Sequence, residues 1–388
     1  MQIVEVNSPS LAQKFLHFPI AFYDGDPNYI RPLDTDVESV FDPAKNKFFR
    51  HGSCKRWILM GNEGNPVGRI AAFINRKTVK SFDQPTGGMG FFECINNQMA
   101  AFRLFDTARD WLREQGMEAM DGPINFGDRD RWWGLLVDGF HPPCYCCNYN
   151  PPYYRDLFEQ YGFNVYFKQF TYYRDVQEQL ETRYSTRAEA IMNNPDYSFE
   201  HLTKGKLDKY TDDFRTIYNK AWARHKGVGE MAQQHARQII GKLKPVIDEH
   251  IAWFAYFKNE PVGFFLSIPE LNQLFVKDVN GKLDLSGKLR LLWNKWTGRC
   301  KTMYGIAFGI VPEHQRKGVE TAMIVSAANF IQNNPRVQYQ NLQMNWIGDF
   351  NPKMMNVAEH IGGKIYKTHH TYRYLFDRTK EFKRHPIL

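Results

Sequence analysis

Six residues of this chain recur at a separation of 200, with no gap in the register. Pro152, Glu159, Gly162, Tyr166, Thr171 and Tyr172 match Pro352, Glu359, Gly362, Tyr366, Thr371 and Tyr372. Leu157 with Val357, and Val165 with Ile365, are conservative partners. The shared text is a proline, one amphipathic helix, a glycine and a strand ending in Thr-Tyr. The simplest account is two copies of one α/β fold in tandem. A chance likeness of two helix–glycine–strand units is the competing account.

The text between the repeats fills in both copies. In the first, Gln2–Val6 alternates as a strand, and Ser8 or Ser10 is placed to cap a helix over Leu11, Phe15, Leu16 and Phe18. Pro27 to Lys47 is polar and reads as irregular. Trp57–Met60 and Val67–Ile74 form a hairpin across Gly61–Pro66. Gly90–Ile95 is a strand, Gln98–Gln115 a helix with Leu104, Phe105, Ala108, Trp111 and Leu112 on one face, and Met117–Ile124 a further strand. The connecting segment Asp121–Phe140, with Arg129, Arg131, Trp132 and Trp133, reads either as a loop pinned by its tryptophans and Asp–Arg bridges or as a substrate-lining loop. In the second copy, Gln177–Met192 is a linker helix and Tyr197–Leu202 a strand. Leu207–Arg224 and Met231–Leu243 are helices, followed by a hairpin of Ile251–Phe257 and Pro261–Ile268. Pro269–Cys300 is additional, either a lid or a helix packed on the first half. Val337–Asn345 is a strand, Asn351-Pro352 opens the last helix, and Lys364–His370 and Thr371–Phe376 finish the sheet as two strands.

One turn carries chemistry. Met303–Val311 is a buried strand, and Ala322, Met323, Ser326, Ala327, Phe330 and Ile331 recur at helical spacing. Between them lies Pro312-Glu313-His314-Gln315-Arg316-Lys317-Gly318. A strand that turns into a helix through a basic, glycine-containing loop points free amides and the positive end of a helix dipole at one spot. Its natural guest is a phosphate or pyrophosphate.

This turn resembles the pyrophosphate loop of the GNAT N-acetyltransferases, whose pattern is Gln or Arg, two residues, Gly, one residue, then Gly or Ala. Gln315-Arg316-Lys317-Gly318-Val319 fits, and Glu320 departs at the last position. The resemblance implies acetyl-CoA or another acyl-CoA as co-substrate, held by Gly309, Ile310, Val311, Gln315, Arg316, Lys317, Gly318, Val319 and Asn351, with no metal. Asp26-Pro27-Asn28-Tyr29, Gly68-Arg69-Ile70-Ala71-Ala72, Gly90-Phe91-Phe92-Glu93-Cys94, Gly134–Phe140 and Asn150-Pro151-Pro152-Tyr153-Tyr154 are similar to an uncharacterised bacterial family of GNAT-like proteins over about residues 26–175. The implied architecture is α/β (α+β): two tandem GNAT-like domains, residues 1–178 and 179–388, each a mixed, mostly antiparallel twisted sheet flanked by helices. The first copy has Asn96-Asn97-Gln98-Met99-Ala100 in place of the glycine loop, so it is expected to bind CoA weakly or not at all. The family's acid, a Tyr seven residues after the Asn that opens the last helix, falls on Ala358 and on Leu157. No catalytic residue is therefore assigned; Tyr366, Tyr372 and Tyr374 are substitutes for the acid, and Glu93 and His314 are candidates of the same standing.

Composition narrows the partners. Hydrophobic residues at 43% and charged residues at 24% over 388 residues make the chain globular. Its net charge of +8 favours anionic ligands. No stretch is apolar enough to span a membrane, and no signal-peptide pattern opens the chain, so a cytoplasmic protein without a membrane partner is expected. Among the six cysteines Cys144 and Cys147 alone stand at C-x-x-C spacing, with no second pair to complete a zinc ribbon, so Cys144, Cys146 and Cys147 read as buried or loop thiols rather than metal ligands. The function expected is N-acyl transfer from acyl-CoA to a small-molecule or peptide amine. A non-catalytic ligand-binding module, and an enzyme that engages aminoacyl-tRNA or RNA, are the alternatives.

Overall fold

The computed structural model describes residues 1–79, 83–180, 182–222 and 230–387. The first half runs β1 (Gln2–Glu5), α1 (Pro9–Phe22), α2 (Asp34–Phe41), β2 (Gly52–Met60), β3 (Pro66–Asn75), β4 (Thr86–Cys94), α3 (Gln98–Glu114), β5 (Ala119–Gly122), β6 (Leu135–Asp138), α4 (Tyr154–Tyr161) and β7 (Asn164–Asp175). The second runs α5 (Thr182–Met192), β8 (Tyr197–His201), α6 (Leu207–Trp222), α7 (Gln233–Leu243), β9 (Ala252–Phe257), β10 (Glu260–Pro269), α8 (Leu271–Leu274), α9 (Leu285–Trp296), β11 (Thr302–Ile310), α10 (Val319–Asn333), β12 (Asn341–Gly348), α11 (Pro352–His360) and β13 (Lys364–Leu375). Ser8 caps α1, accepting from the Leu11 amide, and the predicted stripe of α3 is buried throughout. Residues 223 and 224 of the predicted α6, and Glu181 of the predicted linker helix, lie outside the described residues.

Two expectations change. The stretch read as irregular contains α2, where Val37 and Val40 are buried in a cluster with Phe73, Phe126 and Trp132 and Asp34 receives two hydrogen bonds from Arg31 (2.6 and 2.8 Å). The two closing strands expected after Gly362 are one continuous strand, β13. Nothing in Lys364–Leu375 supplies a turn; its β-branched and aromatic residues favour extended backbone, and two bulges absorb the twist.

All strands belong to one mixed sheet, in the order β1-β2-β3-β4-β5-β13-β7-β12-β11-β10-β9-β8, with β6 paired to β13 off that path. The halves meet by exchanging their last strands. β13 lies against β5 of the first half (Tyr372↔Gly122), and β7 lies against β12 of the second (Tyr172↔Met344). β7 and β13 pair antiparallel with each other, and Gln169 faces His369, its own repeat partner. A pseudo-twofold axis therefore passes through that pair. The repeated residues confirm it: Tyr372 donates to Glu159 (3.0 Å) and Tyr172 donates to Glu359 (3.3 Å). Tyr372 and Tyr374 sit in the core built by β2–β5, α3 and α4, while Tyr172 and Val176 sit in the core of the second half. Arg373 fixes β13 to β5 through both oxygens of buried Asp121 (2.6 and 2.8 Å), with the Tyr166 ring beneath it at 3.6 Å.

The segment between β10 and β11 docks on the first half. The Asp34 amide donates to Gly281, Asn272 donates to the Pro143 carbonyl, and the Tyr145 amide donates to Glu270.

Candidate ligand site at the start of α10

β11 and β12 pair in parallel only from Thr302↔Asn341 to Gly305↔Met344. Beyond this, β12 bulges at Met344/Ile347 and stays with β7, while β11 stays with β10 as far as Ile310. The strands part, and the edge of residues 306–310 that faces β12 has no strand partner among the described residues. An extended ligand finds backbone donors and acceptors along such an edge. Tyr304, whose hydroxyl donates to Asn345 (2.9 Å), stands where the strands separate.

At the far end of this wedge the predicted turn is formed. Val311 leads into a helical turn at Pro312–His314, Arg316 (φ 62°) and Gly318 (φ 89°) take left-handed backbone, and α10 follows. Gln315 donates its side-chain amide to the Ile310 carbonyl (2.9 Å), which closes the turn on the strand. Gln315, Arg316 and Lys317 are exposed; Gly318 and Val319 are buried. No side chain caps α10, and the first amide bonded inside it is that of Ala322, to Gly318 (2.9 Å). The amides of Val319, Glu320 and Thr321 precede that bond and have no partner within the helix. Glu320 sits in this first turn half-buried, with Oε2 buried and without a hydrogen-bond partner among the described residues.

The other sequence candidates have structural employment. Asn351 caps α11, accepting from Met354 (3.2 Å). His314 is bonded to Tyr197 (2.7 Å) and packed edge-on to it, and burial with Lys317 nearby lowers its pKa. Tyr366 stacks on His141, Tyr374 is buried in the core, and Tyr372 is fully buried on Glu159. Glu93 is ion-paired with buried Arg69.

The first half has the same wedge, filled. β4 and β5 pair only from Thr86↔Ala119 to Gly88↔Asp121. Tyr153 donates to the Cys94 carbonyl (2.7 Å) and the Cys94 amide donates to Tyr154 (2.7 Å), so both backbone groups at the end of β4 are satisfied. Asn97 caps α3 by accepting from Ala100 (2.9 Å). A cavity of about 70 Å³, walled by Arg69, Glu93, Phe91, Trp132 and the loop thiols, lies beside this sealed end. At the repeat positions of the two sealing tyrosines the second half carries Lys353 and Met354, which have no hydroxyl. Sequence reading quoted Tyr153 and Tyr154 without seeing this; the 200-residue register, carried two positions further, held the signal.

The Asp121–Phe140 segment is pinned, as one of its two readings had it, and it also reaches the second half. Trp132 is buried against Phe91, and its amide donates to Cys146 (2.7 Å). Trp346 of β12 donates its indole N–H to the Arg129 carbonyl (3.1 Å), and Asp128 is close enough to Tyr218 of α6 to raise its pKa, after burial. The loop thus borders the second wedge from the side opposite the turn. Another feature missed from sequence is a buried polar group under the wedge: Lys367 donates to Gln343 (3.0 Å), Cys144 donates to the same oxygen (3.0 Å), and Cys147 lies 3.5 Å from the Tyr304 hydroxyl. Among the described residues no group of three or more His, Cys, Asp or Glu is placed to hold a metal ion.

Comparison with known proteins supports the architecture. A tandem GNAT protein from the clavulanic acid biosynthesis pathway, solved without AcCoA, superimposes with a TM-score of 0.56 at 10% identity, over 98% of this chain and 99% of its own. A GCN5-related glucosamine N-acetyltransferase region of a fungal multi-domain GH3 β-N-acetylglucosaminidase gives 0.56 at 12% identity, over 96% of this chain and 38% of that one. In sequence, a bacterial ceramide synthase of Caulobacter vibrioides (strain NA1000 / CB15N) is 28% identical over 382 residues, 96% of this chain and 97% of that protein. Protein YghO of Escherichia coli (strain K12) is 26% identical over 365 residues, 92% and 91% of the two chains. No family model matches. The chain has the tandem GNAT fold.

Proposed function

We propose that this protein is an acyl-CoA-dependent N-acyltransferase whose second half binds the co-substrate and whose first half, a divergent copy, shapes the acceptor site. We take residues 1–178 and 179–388 as the two copies. The observation that carries the reading is the asymmetry between the wedges: one is sealed by Tyr153, Tyr154 and Asn97, and the other ends in an uncapped helix beneath exposed Gln315, Arg316 and Lys317. The pyrophosphate would sit on the amides of Val319–Thr321, with the two cations beside it. The pantetheine arm would run along Gly309–Val311 as an added strand. Its thioester would then lie where β11 and β12 part, facing the loop that carries Arg129.

In direct transfer the neutral amine attacks the thioester carbonyl, forming a C–N bond; the C–S bond breaks and CoA leaves as thiolate, which takes up a proton as the amine loses one. Positioning supplies much of the rate, because the two reactants are held on opposite sides of one opening. The similarity to a ceramide synthase favours a long-chain amine as acceptor and a fatty acyl group as donor. A ceramide is the amide of these two.

Titration calorimetry with acetyl-CoA and palmitoyl-CoA tests binding. Gly318→Asp, which adds a Cβ at a left-handed residue and a negative charge beside the diphosphate, is expected to weaken either ligand by at least about a hundredfold. Mass spectrometry of reactions with sphinganine and with short amines tests turnover. No heat with any CoA ester would end the enzyme reading; tight binding without product from any amine would leave a non-catalytic ligand-binding module.

A further inference from the structure

A helix on a protein surface normally turns its apolar stripe inward. α9 does the opposite. Leu285, Leu289, Leu292, Trp293 and Trp296 are each 60–79% exposed, whereas Gly287, Leu291 and Asn294 face the protein. At about 100° per residue, the five exposed residues share an arc of roughly 100°, and the three buried ones lie opposite. Lys288 and Lys295 border the arc on one side and Arg290 on the other. Asn294 anchors the inner face, donating to the Leu274 carbonyl (2.8 Å) and to Asp278 (3.1 Å).

The charge around this face has one sign. Between Lys277 and Lys301 there are seven cations and two carboxylates, a net +5 within a chain of +8. Both carboxylates are engaged: Asp284 caps α9 through the Gly287 amide (2.8 Å), and Asp278 meets Asn294 and Arg299 (3.8 Å). A second copy of the chain docked here would bring the same positive field against itself. An anionic surface would be attracted. Leucines and tryptophans bordered by lysine and arginine are the composition of helices that lie in a lipid–water interface, the indoles at headgroup depth. No helix among the described residues is long and apolar enough to cross a membrane, and α9 has 12 residues, so the geometry is one of lying on the bilayer rather than spanning it.

We propose that α9 docks the protein on anionic lipid bilayers, with Leu285, Leu289, Leu292, Trp293 and Trp296 inserted at the acyl boundary and Lys288, Arg290 and their neighbours on the phosphates. The proposal stands apart from the transferase reading, and it replaces the expectation that no membrane is a partner. Flotation of the full chain with vesicles of phosphatidylcholine alone, and of phosphatidylcholine and phosphatidylglycerol in equal parts, tests it. The protein is expected to float with the anionic vesicles, to shift its tryptophan emission to the blue, and to be released by salt. The exposed triple variant Leu289→Glu/Trp293→Glu/Trp296→Glu, folded by circular dichroism, should lose at least about tenfold in partitioning. Lys288→Glu/Arg290→Glu should lose the preference for phosphatidylglycerol. The proposal is overturned if the wild type stays soluble with both vesicles, or if the triple variant partitions equally. It is also overturned if sedimentation shows a dimer that the triple variant converts to monomer while neither binds vesicles.

Discussion

Glu320 is the residue at which binding and stability pull in opposite directions. Its carboxylate stands in the first turn of α10, where a negative charge steadies the helix dipole and repels a diphosphate. Glu320→Gln is expected to tighten acyl-CoA binding several-fold in calorimetry and to cost about 0.5 kcal/mol of stability in urea unfolding. His369 ties stability to pH instead. Burial pushes its pKa down to about 4, and that of neighbouring His370 to about 4 as well. A histidine held neutral in the fold binds fewer protons than in the unfolded chain, so its contribution is complete above pH 6.5 and is lost as pH falls toward 4. Each histidine accounts for up to about 3 kcal/mol of that loss. His369→Gln, which installs the residue found at the repeat position 169, should flatten the slope of stability against pH in this window. The turn at Gln315–Val319 was legible in the sequence because a strand, a basic glycine loop and a helix are local features. The sealing of the first wedge was legible only by half: the register sets Tyr153 and Tyr154 opposite Lys353 and Met354, but not that the tyrosines reach Cys94.

The exchanged strands dominate at the level of elements. Tyr372 and Tyr172 each donate to a glutamate of the other half, and Tyr372→Phe should cost about 1 kcal/mol, with Tyr172→Phe costing less because its bond is longer. Fragment 1–178 lacks the strand that covers β5 and β7, and is expected to aggregate when made alone. Co-expression with 179–388 should restore a soluble one-to-one complex, visible by size-exclusion chromatography. The repeat was readable residue by residue, yet its exchange was not: alternation shows that β13 is a strand with buried faces and says nothing about whose β5 it joins. α2 escaped notice for a related reason. It has few apolar residues, and the packing of Val37 and Val40 against Phe73, Phe126 and Trp132 is tertiary.

In the whole molecule the sheet runs unbroken from β1 to β8 across the boundary between the copies. Separate domains would melt separately; here calorimetry should record a single transition, and core damage in either half, such as Phe105→Ala or Phe254→Ala, should move it as a unit. The exchange also sets a clock on biosynthesis. The partner of β5 lies some 250 residues further along the chain, about 12 to 50 s of translation, and that edge stays uncovered until then. Through that interval a nascent chain with an open sheet edge is a client for chaperones, and the order of its genes' text, rather than its chemistry, decides how long it needs one.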